Sequence, residues 1–304
     1  MKILVTPRSL TRTNHPALDL LRQQGWELIF SAAGEMPDER NLLELVHGCD
    51  GWLAGVEPIT ATVLAGANRL RVISRNGSGL DNIDLPEAER RGIKVMRAAG
   101  ANAQGVAELT LGLTLASLRQ IHAADRALKS GAWDRTVGQE IAGCFVLVVG
   151  FGNIGRLVAR LFEAFGAEVA VVEPLSIPTD DFRKVDLDEH LPSARIVTLH
   201  CPPRADDRPL LTKARIELCS KNALVINTAR RSLVDELAVI EALEQDQLGG
   251  FACDEFEGAD PASQRLIRHP RVIATPHLGA FTSQSVDRAA FEAARNLIRE
   301  LAVH

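Results

Sequence analysis

Residues Phe145 to Gly155 read Phe-Val-Leu-Val-Val-Gly-Phe-Gly-Asn-Ile-Gly, an apolar run that ends in a G-x-G-x-x-G spacing. Phe145–Val149 has the β-branched and aromatic character of a buried parallel strand. Ile154–Phe165 has helical spacing. Gly150, Gly152 and Gly155 are therefore expected on a strand–turn–helix junction. There the missing Cβ atoms permit a tight turn, close approach of a pyrophosphate and close helix–strand packing. The helix start, at Asn153 and Ile154, offers unpaired N–H groups to phosphate. A second apolar run, Glu168–Val172, leads to Glu173, about 20 residues on, where an acid can receive ribose hydroxyls. The chemistry indicated is dinucleotide binding; the alternative is a glycine turn that binds nothing.

Three more segments follow strand-like runs, the place where ligands sit in open α/β sheets. They are His200-Cys201-Pro202-Pro203, Asn227-Thr228-Ala229-Arg230-Arg231 with Leu233-Val234-Asp235-Glu236 after it, and Thr275-Pro276-His277-Leu278-Gly279. A histidine exchanges protons near neutral pH. A guanidinium can hold a carboxylate with two parallel hydrogen bonds and polarise a neighbouring carbonyl oxygen. His277 and Arg230 are the residues of those types. Read alone, His277 is equally a surface histidine after a proline, and Arg230 a solvated strand-end charge.

The elements that must position these residues alternate along the chain. Strands are expected at Ile3–Thr6, Gly51–Val56, Leu70–Arg75 and Ile93–Met96, with helices at Pro16–Gln24, Thr60–Ala67 and Leu85–Arg91. One long helix is expected from about Gln104 to Lys129, stopped by Gly131. The alternation resumes at Phe145 and continues through strands at Val169–Val172, Ile196–His200, Ala223–Asn227, Phe251–Asp254 and Val272–Ala274. A last amphipathic helix covers Ser285–Leu301. Alternation of this kind implies parallel sheets covered by helices.

A chain of 304 residues has room for two ordinary domains. The formal net charge of −5, without a basic stripe, argues against nucleic acid and anionic membrane as partners. Cys49, Cys144, Cys201, Cys219 and Cys253 form no C-x-x-C pair, so buried thiols in a reducing, cytoplasmic setting are expected, with no metal site. The opening Met-Lys-Ile-Leu-Val-Thr reads as a first strand rather than a signal core. No apolar run reaches membrane-spanning length.

Taken together, Gly77–Asp84, Gly105–Thr110, Gly150–Gly155, His200–Pro203, Ser220–Glu236 and Thr275–Gly279 resemble, in order and over nearly the whole chain, the NAD-dependent D-isomer-specific 2-hydroxyacid dehydrogenases. The nearest look is to the phosphoglycerate dehydrogenase branch. The resemblance implies two Rossmann-like or flavodoxin-like, doubly wound parallel-sheet α/β domains with a cleft between them. The substrate domain would comprise residues 1–98 and 283–304, and the NAD-binding domain residues 99–282. The long helix after Asn102 is a dimer-forming element in the family, which implies a homodimer.

The resemblance also implies roles. His277 matches the acid/base histidine and Arg230 the substrate arginine. Asp254 matches the nicotinamide-carboxamide contact, with a strand-terminating acid as the alternative. Backbone N–H groups at Gly77 and Ser78 match the loop that holds the substrate carboxylate. Asn102 matches a polar residue near substrate, or else a helix cap, and Arg75 lies near the same place. His200, Cys201, Pro202, Thr228, Ala229 and Gly279 are expected to line the cofactor.

The chain departs from the family in three places. The acid that usually pairs with the histidine falls in Asp254-Glu255-Phe256-Glu257-Gly258-Ala259-Asp260-Pro261, where alignment without a gap places Ala259, and a one-residue shift places Asp260. Glu257 is the third candidate; the expectation is that Asp260 takes the role. The glycine that normally follows the arginine is Arg231. The stretch Leu53-Ala54-Gly55-Val56-Glu57-Pro58 carries no arginine for a substrate phosphate. The expected activity is hydride transfer between NAD(H) and a small D-2-hydroxy acid/2-oxo acid pair, of glyoxylate or hydroxypyruvate type. The rivals are a non-catalytic NAD(H)-sensing protein on the same fold and a formate- or phosphite-type dehydrogenase.

Overall fold

The computed structural model describes residues 1–179, 181–204, 206–254 and 260–302. Contacts divide the chain into two compact units, Met1–Asn102 with Thr282–His304, and Ala103–Phe281. Within the first unit, Ala98 and Ala101 are buried with Ala289 of its last helix.

The first unit holds five parallel strands: β1 Lys2–Val5, β2 Glu27–Phe30, β3 Gly51–Ala54, β4 Val72–Arg75 and β5 Lys94–Arg97. Their order is β2-β1-β3-β4-β5, a doubly wound sheet whose order reverses between β1 and β3. Strand β3 is buried throughout, as expected of a central parallel strand covered on both faces. One cover is the helix Ser283–Leu301, capped by the Thr282 side chain. Its Ala290, Ala293, Ala294, Leu297 and Leu301 pack with Ile3, Val5, Leu53 and Val72. The approach is close: a Cβ at Gly51 would meet Leu301 at 2.7 Å. The small alanines at helical spacing make that distance possible.

The second unit holds β6 Phe145–Val149, β7 Glu168–Val172, β8 Arg183–Lys184, β9 Ile196–Leu199, β10 Ala223–Asn227, β11 Leu248–Cys253 and β12 Val272–Ala274. Their order is β12-β11-β10-β9-β6-β7-β8, and every pairing is parallel. The order reverses between β6 and β9, so the carboxyl ends of these two strands mark the place for a ligand.

Two sequence expectations are corrected. The single helix over Gln104–Lys129 is two helices, Ala103–Leu118 and Ile121–Lys129. Gln120 adopts φ 49° between them, and the Gln139 N–H takes the Leu118 carbonyl at 3.0 Å. The returning chain thus claims an acceptor that a continuing helix would have used. Strands β2 and β8 were not anticipated; both lie at sheet edges, and neither has a buried residue. Among the described residues, no helix is long and apolar enough to cross a membrane.

Candidate functional site

In the second unit, the glycine turn joins β6 to the helix Asn153–Ala164. Gly150 has φ +94°, and a Cβ there would lie 2.7 Å from the His200 carbonyl carbon. At Gly155 a Cβ would lie 1.9 Å from the Gly150 oxygen, so only glycine lets helix and strand come this close. Gly152 differs: its Cβ position faces open space, and as N-cap it leaves the first turn of the helix without a side-chain cap. The turn thus keeps room, and the Asn153 and Ile154 N–H groups have no acceptor among the described residues, which fits a pyrophosphate.

Glu173 is buried. Its Oε2 accepts the Phe151 N–H at 2.9 Å and its Oε1 the Leu175 N–H at 3.0 Å. The acid therefore braces the glycine turn, and each oxygen keeps a lone pair that can receive a ribose hydroxyl. At the end of β9, His200 Nε2 lies 2.8 Å from Thr198 Oγ1, while its Nδ1 is buried without a partner among the described residues. Burial pushes the His200 pKa down to about 3, so the ring is neutral. Burial likewise pushes the Cys201 thiol up to about 11, which keeps it protonated. A buried imidazole nitrogen without a partner beside a glycine cradle fits a site completed by a ligand.

Arg230 follows β10 in extended backbone and opens a short turn, Arg231–Leu233. Asn227, the last residue of β10, shapes this turn: its side chain donates to the Arg230 carbonyl at 2.7 Å and accepts from the Ala229 N–H at 3.1 Å. Thr228 Oγ1 lies 2.9 Å from Thr110 Oγ1 in the core. Asn227 and Thr110 stood within the segments Asn227–Arg231 and Gly105–Thr110, but the sequence gave neither a role of its own.

His277 lies three residues beyond β12 with φ +55°. Asp254, at the end of β11, encloses this turn. Its Oδ1 accepts from Thr275 Oγ1 at 2.6 Å and the Leu278 N–H at 2.7 Å, and its Oδ2 accepts from the Gly279 N–H at 2.7 Å. The Asp254 carbonyl accepts the His277 N–H at 2.7 Å. Gly279 is confined too, since a Cβ there would meet Asp254 Oδ2 at 3.0 Å. The His277 side chain is exposed.

Asp260, expected beside His277, is engaged elsewhere. It caps the helix Pro261–Arg268 by accepting the Ser263 N–H at 3.0 Å, and its other oxygen binds Arg231 Nη2 at 2.8 Å. These hydrogen bonds and the Arg231 charge hold its pKa well below the usual carboxylate range. None of its described hydrogen bonds goes to His277. The other two candidates for the histidine's acid, Glu257 and Ala259, lie outside the described residues.

In the first unit, the loop after β4 carries Gly77 and Ser78. The Arg75 guanidinium lies where a Gly77 Cβ would be, 1.3 Å from its ideal position. The Gly77 N–H, expected to hold a carboxylate, instead donates to the Arg75 carbonyl at 2.9 Å. The Ser78 and Gly79 N–H groups have no acceptor among the described residues. Ser78 Oγ donates to Asn102 Oδ1 at 2.6 Å, so Asn102 helps hold the loop. At the β1/β3 reversal, Trp52 Nε1 donates to Thr6 Oγ1 at 2.9 Å, the Thr6 hydroxyl donates to Glu57, and the Gly55 N–H donates to the same carboxyl group at 2.8 Å. Glu57 is buried there.

Comparison with known proteins agrees with this arrangement. Residues 111–279 match the family described as D-isomer specific 2-hydroxyacid dehydrogenase, NAD binding domain. The chain is 34% identical over 263 residues to D-3-phosphoglycerate dehydrogenase of Sus scrofa, a match covering 84% of this chain and 49% of that protein. It thus spans about half the length of that relative. It is 34% identical over 251 residues to hydroxypyruvate reductase of Thermotoga maritima, covering 81% of this chain and 82% of that one. Among solved structures, the TT0316 protein of Thermus thermophilus is similar with a TM-score of 0.89 and 32% identity, over 99% of this chain and 97% of that one. The glycine turn, the braced acid after β7 and the matches on either side of them lead to one assignment: the chain belongs to the D-isomer specific 2-hydroxyacid dehydrogenase family, and its second unit carries that family's NAD-binding domain.

Proposed function

We propose that the chain is an NAD(H)-dependent oxidoreductase that interconverts a small, non-phosphorylated D-2-hydroxy acid and its 2-oxo acid. The observation that carries this reading is the His277 turn. Its backbone is fixed by Asp254, while its imidazole is left exposed at the carboxyl end of a nucleotide-type sheet. NADH, when bound, supplies the hydride. In reduction, protonated His277 gives its proton to the keto oxygen, and Arg230 polarises that oxygen and grips the carboxylate. In the first unit, Asn102 holds the loop after β4 through the Ser78 hydroxyl, and the Ser78 and Gly79 N–H groups of that loop are of the type that suits a carboxylate. Glu173 favours NAD over NADP, since it repels a 2′-phosphate and Pro174, Leu175 and Ser176 offer no arginine to receive one.

The preference against a phosphorylated acid rests on Leu53-Ala54-Gly55-Val56-Glu57-Pro58, a stretch that carries no cation for a phosphate; its Glu57 is buried and accepts the Gly55 N–H. The same reading makes the protein a cytoplasmic homodimer. Its cysteines are free, and Ile121, Leu128, Trp133 and Val137 expose apolar side chains within one short stretch. A binding role without catalysis is favoured by one observation only, the engagement of Asp260 away from His277.

The test is NADH oxidation with glyoxylate, hydroxypyruvate and phosphohydroxypyruvate, repeated with NADPH. Formate and phosphite are tested separately with NAD⁺. Turnover of a non-phosphorylated 2-oxo acid with NADH is expected. Tight NADH binding with no turnover of any acid would establish the binding role instead, and a preference for phosphohydroxypyruvate would overturn the substrate reading.

A further inference from the structure

Arg231 stands next to the substrate arginine, where the family's usual residue is glycine, and its guanidinium is fully committed in geometry. Nε donates to Glu236 Oε1 at 2.7 Å, and Nη2 donates to Glu236 Oε2 and to Asp260 Oδ2, each at 2.8 Å. Glu236 begins the helix Glu236–Glu244, and Asp260 caps the helix Pro261–Arg268. Between them lies the buried Ser263, whose Oγ is 2.7 Å from Glu236 Oε2 and 2.7 Å from Asp260 Oδ2. A hydroxyl has one proton, so it can donate to only one of the two carboxylates at a time. The Arg231 charge is what lets both approach it, because like charges that close repel.

We infer that Arg231, Glu236, Asp260 and Ser263 form a positioning unit for Arg230. This rests on the proposed reading of Arg230 as the substrate arginine. The unit fastens the Arg231–Leu233 turn to the starts of two helices. The Arg230 carbonyl is already held by the Asn227 side chain and by the Leu233 N–H at 3.1 Å. Arg231, one residue on, thus sets the direction in which the Arg230 side chain leaves the backbone. Asp260 is a partner of this arginine turn and not of His277.

The experiment is steady-state reduction of glyoxylate and hydroxypyruvate by the full chain, together with hydrogen exchange of the ligand-free protein. Arg231→Met should raise the 2-oxo acid KM roughly tenfold while the NADH KM stays within about twofold. Arg231→Lys should recover part of the loss, since an ammonium cannot reproduce the fork. Asp260→Asn keeps the helix cap. Alone, it should raise the same KM without moving the limbs of the pH profile. Combined with Arg231→Met, it should recover part of the loss by removing the repulsion from Glu236. Amides 230–235 should exchange faster in Arg231→Met. An unchanged KM and unchanged exchange in Arg231→Met, with normal turnover in the parent, overturn the inference and leave the proposed function standing. A pH limb that moves in Asp260→Asn overturns it in favour of a His277 partnership. Faster exchange in a chain that reduces no 2-oxo acid keeps the positioning unit and removes the proposed function.

Discussion

The turns that carry Arg230 and His277 solve opposite problems at the same end of one sheet. The Arg230 turn is braced through its neighbour's side chain, by a cluster of charges spanning two helix starts. The His277 turn is braced by one buried carboxylate, which accepts two backbone N–H groups and the Thr275 hydroxyl and, among the described residues, leaves the His277 side chain untouched. On the proposed reading the difference matches two roles. A permanent cation works best when its direction is fixed in advance. A group that gives and takes protons needs one ring nitrogen open to substrate, which an exposed ring on a fixed backbone allows.

His277→Gln should break the contrast most severely. Loss of the proton donor should cut kcat by about 10²–10⁴ with little change in the 2-oxo acid KM, read from initial rates of NADH oxidation. Next comes Arg230→Lys, which keeps the charge and loses the fork. We expect kcat/KM to fall by roughly 10² while NADH affinity, measured by fluorescence titration, is nearly unchanged. Retention of most of the kcat/KM would show that the arginine turn has no catalytic use. Asp254→Asn sharpens the comparison from the histidine side. Its new NH₂ group must face an N–H that now donates to a carboxylate, which should cost about 1–3 kcal/mol in a denaturant melt. It should also lower kcat more than it raises KM, the reverse of the Arg231 variants.

An effect on stability rather than turnover concerns His200, a third strand-end residue that the structure keeps neutral. Its pKa is pushed down to about 3 from an ordinary 6.5. Between those values the unfolded chain binds a proton that the folded chain refuses, so stability should fall as pH falls from 6.5 toward 3. The contribution is at most about 1.4 kcal/mol per pH unit. In His200→Gln the slope of stability against pH over this window should be shallower. Identical slopes would mean that the ring takes up its proton in the folded state.

Features that depend on backbone geometry were legible in the sequence, and those that depend on side-chain choice among neighbours were not. Gly150, Gly152 and Gly155 read correctly as a strand–turn–helix junction because each position demands the absence of a Cβ or leaves room for a ligand. The continuous apolar run of Phe145–Val149 marked a central strand for the same reason. By contrast, Glu27–Phe30 lies at an edge and has no buried residue to give its pattern a period. The break at Gln120 depends on the Gln139 N–H, nineteen positions away, which no local propensity records. Asp260 was assigned to His277 by alignment with a motif. Its described partners are Arg231 and Ser263, neither of which the motif contains. In the loop after β4, Gly77 spends its N–H on the Arg75 carbonyl, a local bond that glycine spacing alone does not reveal.

The return of helix Ser283–Leu301 to the first sheet has a consequence for how the chain is made. Ile3, Val5, Leu53 and Val72 are synthesised early, yet the alanine and leucine face that covers them comes roughly 200 residues after Asn102. At about 5–20 residues per second, that is some 10–40 s of translation. Through that interval the first unit carries an uncovered apolar sheet face, while Ala103–Phe281 emerges as one uninterrupted segment able to complete its own core. The second unit can therefore complete its core before the cover of the first sheet has been synthesised.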